Sequence, residues 1–199
     1  MGLDALGISG SPRKDGNTSF LVKEVLKVLE ENGFKTEFVS LAGKKIEMCD
    51  ACYKCKETGI CVKEDYLKEV YEKMINSKAI IIGSPTYFAS VSAQIKALFD
   101  RSLGLRIANY KLKNKVGGAL AVGASRNGGQ EFVCREIHNW MLLHEMIVVA
   151  DKKTAHFGAI GVAKYPEEIK NDEIGLETAR NLGLKIAEVL WNLYQGKDS

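Results

Sequence analysis

Short runs of apolar residues alternate along the chain with longer stretches in which apolar residues recur every three or four positions. The short runs predict strands, and the longer stretches predict amphipathic helices. Leu21, Val25 and Val28, for example, form one stripe that ends before Gly33, a residue typical of helix ends. The pattern predicts strands at 4–9, 35–41, 79–84, 116–124 and 146–149, and helices at 18–32, from Asp65 onward, and at 92–105, 130–144 and 172–195.

Strands that alternate with helices predict an α/β fold, a parallel sheet with helices on both faces. Five strands fit the doubly wound, flavodoxin-like order 2-1-3-4-5. The chain has 199 residues and shows neither a repeat nor a linker, so we expect a single domain over residues 1–199. Ligands of such sheets bind outside the carboxyl ends of the strands, which makes the loops after the first, third and fourth strands the candidate site.

The composition leaves the predicted fold unchanged, but it excludes several classes of protein. Apolar residues make up 46% and charged residues 27%, which excludes disordered, collagen-like and coiled-coil chains. Lys and Arg number 28 against 25 Asp and Glu, and a net charge of +3 is too balanced for a protein that mainly binds nucleic acid. No apolar run approaches the ~20 residues of a membrane span, and the first residues do not resemble a signal peptide. We therefore expect a cytoplasmic protein without a membrane partner, whose cysteines are not structural disulfides.

The loop after the first strand carries more hydrogen-bond donors than a turn needs, and it leads directly into a helix. The free N–H groups of a helix N-terminus favour an anion. The glycine spacing fits neither the nucleoside-triphosphate loop nor the dinucleotide fingerprint. A loop of this composition predicts a bound monophosphate, such as that of FMN; the alternative is a plain turn capped by Asn17 or Thr18. The donors are Ser9, Ser11, Asn17, Thr18 and Ser19, with Arg13 and Lys14 adding positive charge.

The loops after the third and fourth strands suit the flat ring of a flavin. Tyr87 and Phe88 offer aromatic surface, and glycines at 128 and 129 allow backbone to approach a ring closely. Taken singly, Tyr87 is equally well explained as a surface residue and Phe88 as a core residue. The three loops at one predicted sheet edge together favour a flavin.

Four of the five cysteines lie within thirteen residues, at Cys49, Cys52, Cys55 and Cys61. The first three have the Cys-x2-Cys-x2-Cys spacing that holds iron–sulfur clusters in bacterial ferredoxins, whereas structural zinc usually takes two separated cysteine pairs. The run therefore favours a four-iron four-sulfur cluster, with zinc and unligated thiols or disulfides as alternatives. Val62 stands where a ferredoxin has proline, so we expect a single-cluster insertion, about residues 47–63, after the second strand.

Other reactive residues carry weaker signals. Cys134 has apolar neighbours in a predicted helix and is expected to be a small buried residue. The histidines at 138, 144 and 156 have no metal-like spacing and are expected to be structural or surface residues. The stretch 106–115 is basic without an acidic residue, which is typical of a solvated helix end and loop.

With these motifs the chain resembles the NADPH-dependent FMN reductase superfamily. The resemblance lies in Gly10-Ser-Pro-Arg13, in Gly16-Asn-Thr18 and in the segment 84–101. The cysteine run narrows it to the iron–sulfur flavoproteins of anaerobic archaea and bacteria, over roughly residues 3–195. The resemblance implies FMN and one four-iron four-sulfur cluster per subunit, a homo-oligomer (a dimer or tetramer) in which cluster and flavin of different subunits lie close, and ferredoxin as electron donor.

The resemblance also implies roles for individual residues. The cluster ligands would be the four cysteines of the run, Cys49, Cys52, Cys55 and Cys61. The phosphate would be held by Ser9, Ser11, Pro12, Arg13, Asn17, Thr18 and Ser19. The flavin would be bordered by Pro85, Thr86, Tyr87, Phe88, Ser125, Arg126, Gly128 and Gly129.

The leading hypothesis is an electron-transfer flavoprotein that takes electrons from an acidic donor such as ferredoxin. One alternative is an NAD(P)H-dependent FMN or quinone reductase whose cysteines hold a structural zinc. The other is a flavodoxin-like interaction module that is not an enzyme.

Overall fold

A parallel sheet forms the centre of the fold in the computed structural model, which describes residues 2–194. Within those residues the strands are β1 (Leu3–Ser9), β2 (Thr36–Ser40), β3 (Ser77–Pro85), β4 (Val116–Gly123), β5 (Ile147–Val149) and β6 (Ala159–Val162). The order β2-β1-β3-β4-β5 and the parallel pairing confirm the predicted topology.

Helices cover both faces of this sheet, because successive apolar residues of its strands point to opposite faces and both sets are buried. Ile80 and Ile82 of β3 point into one core, whereas Ala79 and Ile81 point into the other. The helices are α1 (Asn17–Glu31), α2 (Cys55–Thr58), α3 (Leu67–Asn76), α4 (Ala93–Arg101), α5 (Leu103–Ile107), α6 (Gln130–Leu143) and α7 (Glu173–Tyr194). The α1 and α7 helices pack on one face, and α3 to α6 pack on the other.

The fifth position of the sheet is divided between two strands. β5 pairs with the first half of β4, at Val116–Gly118, and β6 pairs with the second half, at Leu120–Gly123. The prediction of five strands missed β6, because four residues that include Gly161 carry too little periodicity to be recognised.

The predicted helix 92–105 is two helices separated at Ser102. The Ser102 hydroxyl donates to the Phe99 carbonyl at 2.8 Å and accepts a hydrogen bond from the Trp140 indole at 2.9 Å. These bonds stabilise the interruption between α4 and α5. The closing helix is observed to Tyr194, while its predicted last residue, Gln195, lies outside the described residues.

Over residues 2–194 no helix is both long and apolar enough to span a bilayer.

Candidate functional site

The three loops that follow β1, β3 and β4 are in direct contact at the carboxyl edge of the sheet. The Gly10 carbonyl, in the first loop, accepts a hydrogen bond from the Ser92 hydroxyl at 2.7 Å, and Ser92 begins α4 after the second loop. A Cβ atom on Gly129, in the third loop, would lie 2.9 Å from the Cβ of Ala89 in the second loop. The sequence prediction that these loops converge is therefore correct.

The first loop is a buried hydroxyl network that ends at the open N-terminus of α1. The Ser9 and Ser19 hydroxyls lie 2.9 Å apart, and Ser11 Oγ accepts a hydrogen bond from the Arg13 N–H at 3.1 Å. Ser9, Ser11 and Ser19 are buried together with Thr18, whereas Pro12, Arg13 and Lys14 are exposed.

Capping does not account for this loop. Gly16 occupies the cap position of α1, and no side chain accepts a capping hydrogen bond there. Asn17 instead uses its Nδ2 to donate to the Tyr165 carbonyl at 2.8 Å. The alternative of a turn capped by Asn17 or Thr18 is therefore wrong, and the first-turn N–H groups of α1 are free of side-chain partners.

The second loop is a tight hairpin whose tip is strained. Tyr87 and Ser90 exchange two backbone hydrogen bonds, and the intervening Phe88 and Ala89 both have positive φ, at 50° and 58°. Two residues in this conformation form the primed turn that normally contains Asn or Gly. Phe88 is fully exposed rather than in the core, and Tyr87 is half exposed. Pro85 and Thr86 precede the hairpin, with the Thr86 N–H bonded to the Val122 carbonyl at 2.8 Å.

Glu136 of α6 holds this hairpin in place. Its Oε2 accepts hydrogen bonds from the Ser90 hydroxyl at 2.8 Å and from the Val91 N–H at 3.1 Å. Sequence reasoning missed Glu136, because nothing in the helical pattern of α6 distinguishes it from a solvated carboxylate.

The third loop is tied to the segment before α7. Arg126 pairs with Asp172 at 2.7 Å, and the second Asp172 oxygen accepts a hydrogen bond from the Val162 N–H. Gln130 donates to the Ser125 carbonyl at 2.8 Å, while its Oε1 is buried without a partner. Gly128 and Gly129 face Ser125 and Ala89 at distances that leave no room for a side chain.

The four clustered cysteines line one cavity of about 360 Å³. All are free; Cys49 and Cys52 are exposed, and Cys55 and Cys61 are half-buried. Burial, together with the neighbouring thiols of Cys61, Cys52 and Cys49, raises the pKa of the Cys55 thiol. Across residues 2–194, no group of three His, Cys, Asp or Glu side chains is arranged to hold a single metal ion.

Left-handed residues shape the backbone around these thiols. Ala51 and Tyr53, on either side of Cys52, have φ of 54° and 58°, and Lys54 returns to the right-handed region. Such alternation brings successive N–H groups to one side of the chain, forming a concave surface that suits an anion. Cysteine spacing alone did not predict this backbone conformation.

A buried ion pair lies directly behind the cysteine cavity. Arg101, at the end of α4, makes two hydrogen bonds with Asp65, at 2.5 and 3.0 Å, and the two side chains are 1% and 0% exposed. Arg101 Nε also lies 3.3 Å from Cys61 Sγ, in position to donate. Burial opposes the charge on Asp65, but the bonds from Arg101 and from the Glu47 N–H outweigh it and lower the pKa of Asp65.

The remaining sequence candidates have structural roles. Cys134 is fully buried, as predicted. His138 and His144 are also buried, and burial lowers the pKa of each to about 4. In the basic stretch, Lys115 is not solvated, since its ammonium donates to the carbonyls of Ile75 and Ser77.

Comparison with known proteins agrees with the fold and the motifs. Residues 3–158 match the NADPH-dependent FMN reductase family. An iron–sulfur flavoprotein of Methanocaldococcus jannaschii is 56% identical over 94% of this chain and 97% of its own length. An iron–sulfur flavoprotein of Methanosarcina thermophila is 44% identical over 96% of this chain and 97% of its own length.

A solved structure of a WrbA-like flavodoxin from Agrobacterium tumefaciens shares the fold. Its TM-score is 0.68 at 18% identity, over 96% of this chain and 99% of that one. The family and the relatives establish a flavin-dependent oxidoreductase that uses FMN, so the non-enzymatic interaction module is no longer an alternative. The chain belongs to the NADPH-dependent FMN reductase family, among its iron–sulfur flavoproteins.

Proposed function

We propose that this flavin-dependent oxidoreductase receives single electrons at a four-iron four-sulfur cluster and delivers them through FMN to an acceptor. Cys49, Cys52, Cys55 and Cys61 would hold the cluster. When bound, the cluster carries one electron at a time and FMN stores up to two, so the pair joins one-electron donors to two-electron acceptors.

The observation that carries this proposal is the shared cavity of the four thiols. Its volume of about 360 Å³ is far larger than the ~30 Å³ that one water molecule occupies in the liquid, and a single zinc ion needs no more space than that. The change from left-handed Tyr53 to right-handed Lys54 supports an anionic occupant, because such a change turns successive backbone N–H groups to one side of the chain. The names of the relatives, iron–sulfur flavoproteins, point in the same direction.

FMN would bind at the carboxyl edge. Its phosphate would meet the uncapped first turn of α1, with Ser9, Ser11, Thr18 and Ser19 beside it and Arg13 supplying charge from the exposed rim. Asn17 would support the site indirectly, because its side chain already holds the Tyr165 carbonyl. The ring would lie between the hairpin at Tyr87 and Phe88 and the third loop.

The position of the two sites favours an oligomer. Ser92 contacts the carboxyl edge at one end of α4, and Arg101 contacts the cysteine cavity at the other end. These two residues are nine positions apart along the helix, a length of about 13 Å. We propose a homo-oligomer, a dimer or tetramer, in which the cysteine cavity of one chain lies nearer the flavin of another.

An acidic protein such as ferredoxin would donate the electrons. α5 packs directly on the cysteine loop (residues 47–63), because a Cβ atom on Gly104 would lie 2.9 Å from backbone atoms of Gly59 and Ile60. The start of the basic stretch therefore shares a face with the cavity, and a positive surface raises the encounter rate with an acidic donor.

Anaerobic purification followed by iron, acid-labile sulfide, zinc and flavin analysis tests the proposal. We expect about four irons and four sulfides per FMN, and reduction of the flavin after reduced ferredoxin is added. Protein prepared with iron and sulfide that contains zinc and no iron, and that is reduced by NADPH rather than ferredoxin, would instead be an FMN or quinone reductase with a structural zinc.

A further inference from the structure

Arg101 touches both ends of the cysteine loop. Its Nη1 donates to the Glu47 carbonyl at 2.9 Å, before the first cysteine, and its Nε lies 3.3 Å from the sulfur of Cys61, the last cysteine. Asp65, its partner, accepts hydrogen bonds from the N–H groups of Glu47 at 2.8 Å and Leu67 at 3.1 Å. One ion pair thus fixes the entry, the exit and the following helix.

We propose that Arg101 is the positioning residue of the cluster site: with Asp65 it closes the cysteine loop before metal binds, and its Nε–H stabilises negative charge on the Cys61 sulfur. The second half of this proposal rests on the proposed function, and the first half does not.

The pair of Arg101 with Asp65 stabilises the cysteine loop strongly because both side chains are buried. The side chains of Arg101 and Asp65 are 1% and 0% exposed, so water does not screen them. Removing one member of such a pair leaves an uncompensated buried charge, which is strongly destabilising. Other ion pairs of the loop, Lys63 with Glu47 and with Asp50, involve side chains that are 20%, 42% and 56% exposed and contribute less.

Arginine, rather than lysine, suits this position. The guanidinium presents donors in a fixed fork, so Nη1 and Nη2 bind the carboxylate in parallel while Nε remains free for sulfur. An ammonium group has no such geometry and would serve either Asp65 or Cys61 well, but not both.

Arg101 would also affect electron transfer, through the negative charge on the ligand sulfurs. When one electron arrives from a one-electron donor, the ligand sulfurs become more negative and no bond to the protein breaks. A hydrogen bond from a cationic donor to a ligand sulfur strengthens as that charge grows, and such bonds raise the reduction potential of iron–sulfur centres. Arg101 therefore makes the site easier to reduce.

The first test uses the metal-free full chain. Amide hydrogen exchange across residues 47–63 is compared among wild type, Arg101→Gln, Arg101→Lys and the double variant Asp65→Asn/Arg101→Gln, which leaves no unpaired buried charge. Lys96→Gln is the matched control, because it removes a positive charge from the exposed face of the same helix. We expect at least about tenfold faster exchange in every Arg101 variant and no change in the control.

The second test uses protein reconstituted anaerobically with iron and sulfide. A potentiometric titration followed by electron paramagnetic resonance gives the reduction potential. We expect a roughly tenfold less favourable reduction in Arg101→Gln and in the double variant, which is about 59 mV for one electron, and wild-type behaviour in Lys96→Gln. Arg101→Lys should fall between them.

The outcomes separate the two proposals. If wild type takes up no iron and sulfide, the proposed function fails, and the exchange experiment alone decides whether Arg101 closes the loop. If wild type forms the cluster but the double variant matches it in both exchange and potential, the role of Arg101 is overturned. If Arg101→Gln does not fold, the double variant and Arg101→Lys supply the same two measurements.

Discussion

The carboxyl edge and the cysteine loop hold their candidate functional residues by different means. At the edge, Ser9 and Ser19 are buried at strand and helix ends and bond to each other, so the sheet itself fixes the loop. In the cysteine loop the only helix among residues 47–63 is the four-residue α2, and two residues are left-handed without being glycine. The nearest buried polar anchor is the pair of Arg101 with Asp65.

This difference has a thermodynamic meaning. The carboxyl edge is preorganised, so its ligand meets donors that are already in place and binds without much ordering of the chain. Both regions contain left-handed residues that are not glycine, each costing on the order of 1 kcal/mol or more. Those of the second loop are flanked by hydrogen bonds to Glu136, whereas the cysteine loop combines its strained backbone with exposed thiols. Its occupant would supply much of the free energy that orders it, as metals do in other small metal-binding segments.

Removing a single thiol should show the largest difference between the two regions. Cys52→Ser should abolish iron and sulfide binding and leave FMN content unchanged, because the carboxyl edge does not depend on the loop. Cys134→Ala is the matched control, since Cys134 is buried in α6 away from the cavity and should keep its iron. Parallel iron and flavin analysis checks this, and loss of FMN from Cys52→Ser would show that the two regions are coupled.

Acid should destabilise the framework that both regions share. His138 and His144 are buried in or next to α6 with a pKa of about 4, below the ordinary 6.5. The unfolded chain therefore binds more protons, so stability is fully present above pH 6.5 and is lost as the pH falls toward 4, by on the order of 3 kcal/mol for each histidine.

Thermal unfolding between pH 4 and pH 7 measures this loss. His138→Gln/His144→Gln should flatten the profile, whereas His156→Gln, outside α6, should retain the decline. Because α6 begins at the third loop and His144 bonds to Ser102 beside Arg101, flavin and cysteine probes should report the same transition. An unchanged slope in the double variant would show that other groups cause the acid loss.

A smaller effect, on flavin affinity, should show whether the first turn of α1 binds the phosphate of FMN rather than its ring. Thr18→Val keeps the shape of a buried side chain in the first turn of α1 and removes its hydroxyl. We expect FMN to bind more weakly by about 2 kcal/mol, the usual contribution of a hydrogen bond to a charged group, while riboflavin affinity stays the same. Calorimetry with both flavins measures this, and equal loss for the two would contradict phosphate binding there.

The smallest expected effect concerns the approach of the donor to the cysteine loop. Lys111 is exposed just after α5, so Lys111→Glu should slow flavin reduction by ferredoxin severalfold at low salt. The difference should shrink as the screening length falls from ~30 Å at 0.01 M salt to ~10 Å at 0.1 M. Lys185→Glu, on α7 across the sheet, is the control, and stopped-flow rates that are identical for both variants would exclude a basic docking face near the loop.

Sequence patterns predicted the carboxyl edge better than the cysteine loop, for a physical reason. Strand ends and glycine-rich turns are local features, and the topological rule for parallel sheets brings them together. The ion pair of Arg101 with Asp65 joins residues 36 positions apart and follows from tertiary packing alone. In the sequence, Arg101 lay inside the predicted helix 92–105 and Asp65 stood at the start of another predicted helix, so neither position pointed to an ion pair.

Errors within the fold have similar origins. The break at Ser102 depends on Trp140, a residue of another helix, and β6 becomes a strand because β4 offers it an unpaired half. The exposure of Phe88 depends on a turn that its own sequence disfavours and that Glu136 holds from outside. These causes are contacts between residues far apart in the sequence, which local secondary-structure propensity does not reflect.

The strained tip of the second loop has a consequence for engineering. Replacing Phe88 and Ala89 by Asn and Gly would give that primed turn its preferred residues and remove a fully exposed aromatic ring, so a search for greater thermal tolerance would select this change early. It would also remove the aromatic surface that, under the proposed function, borders the flavin. Directed evolution for heat resistance alone would therefore tend to erode turnover at this position, and a useful screen should select for both properties together.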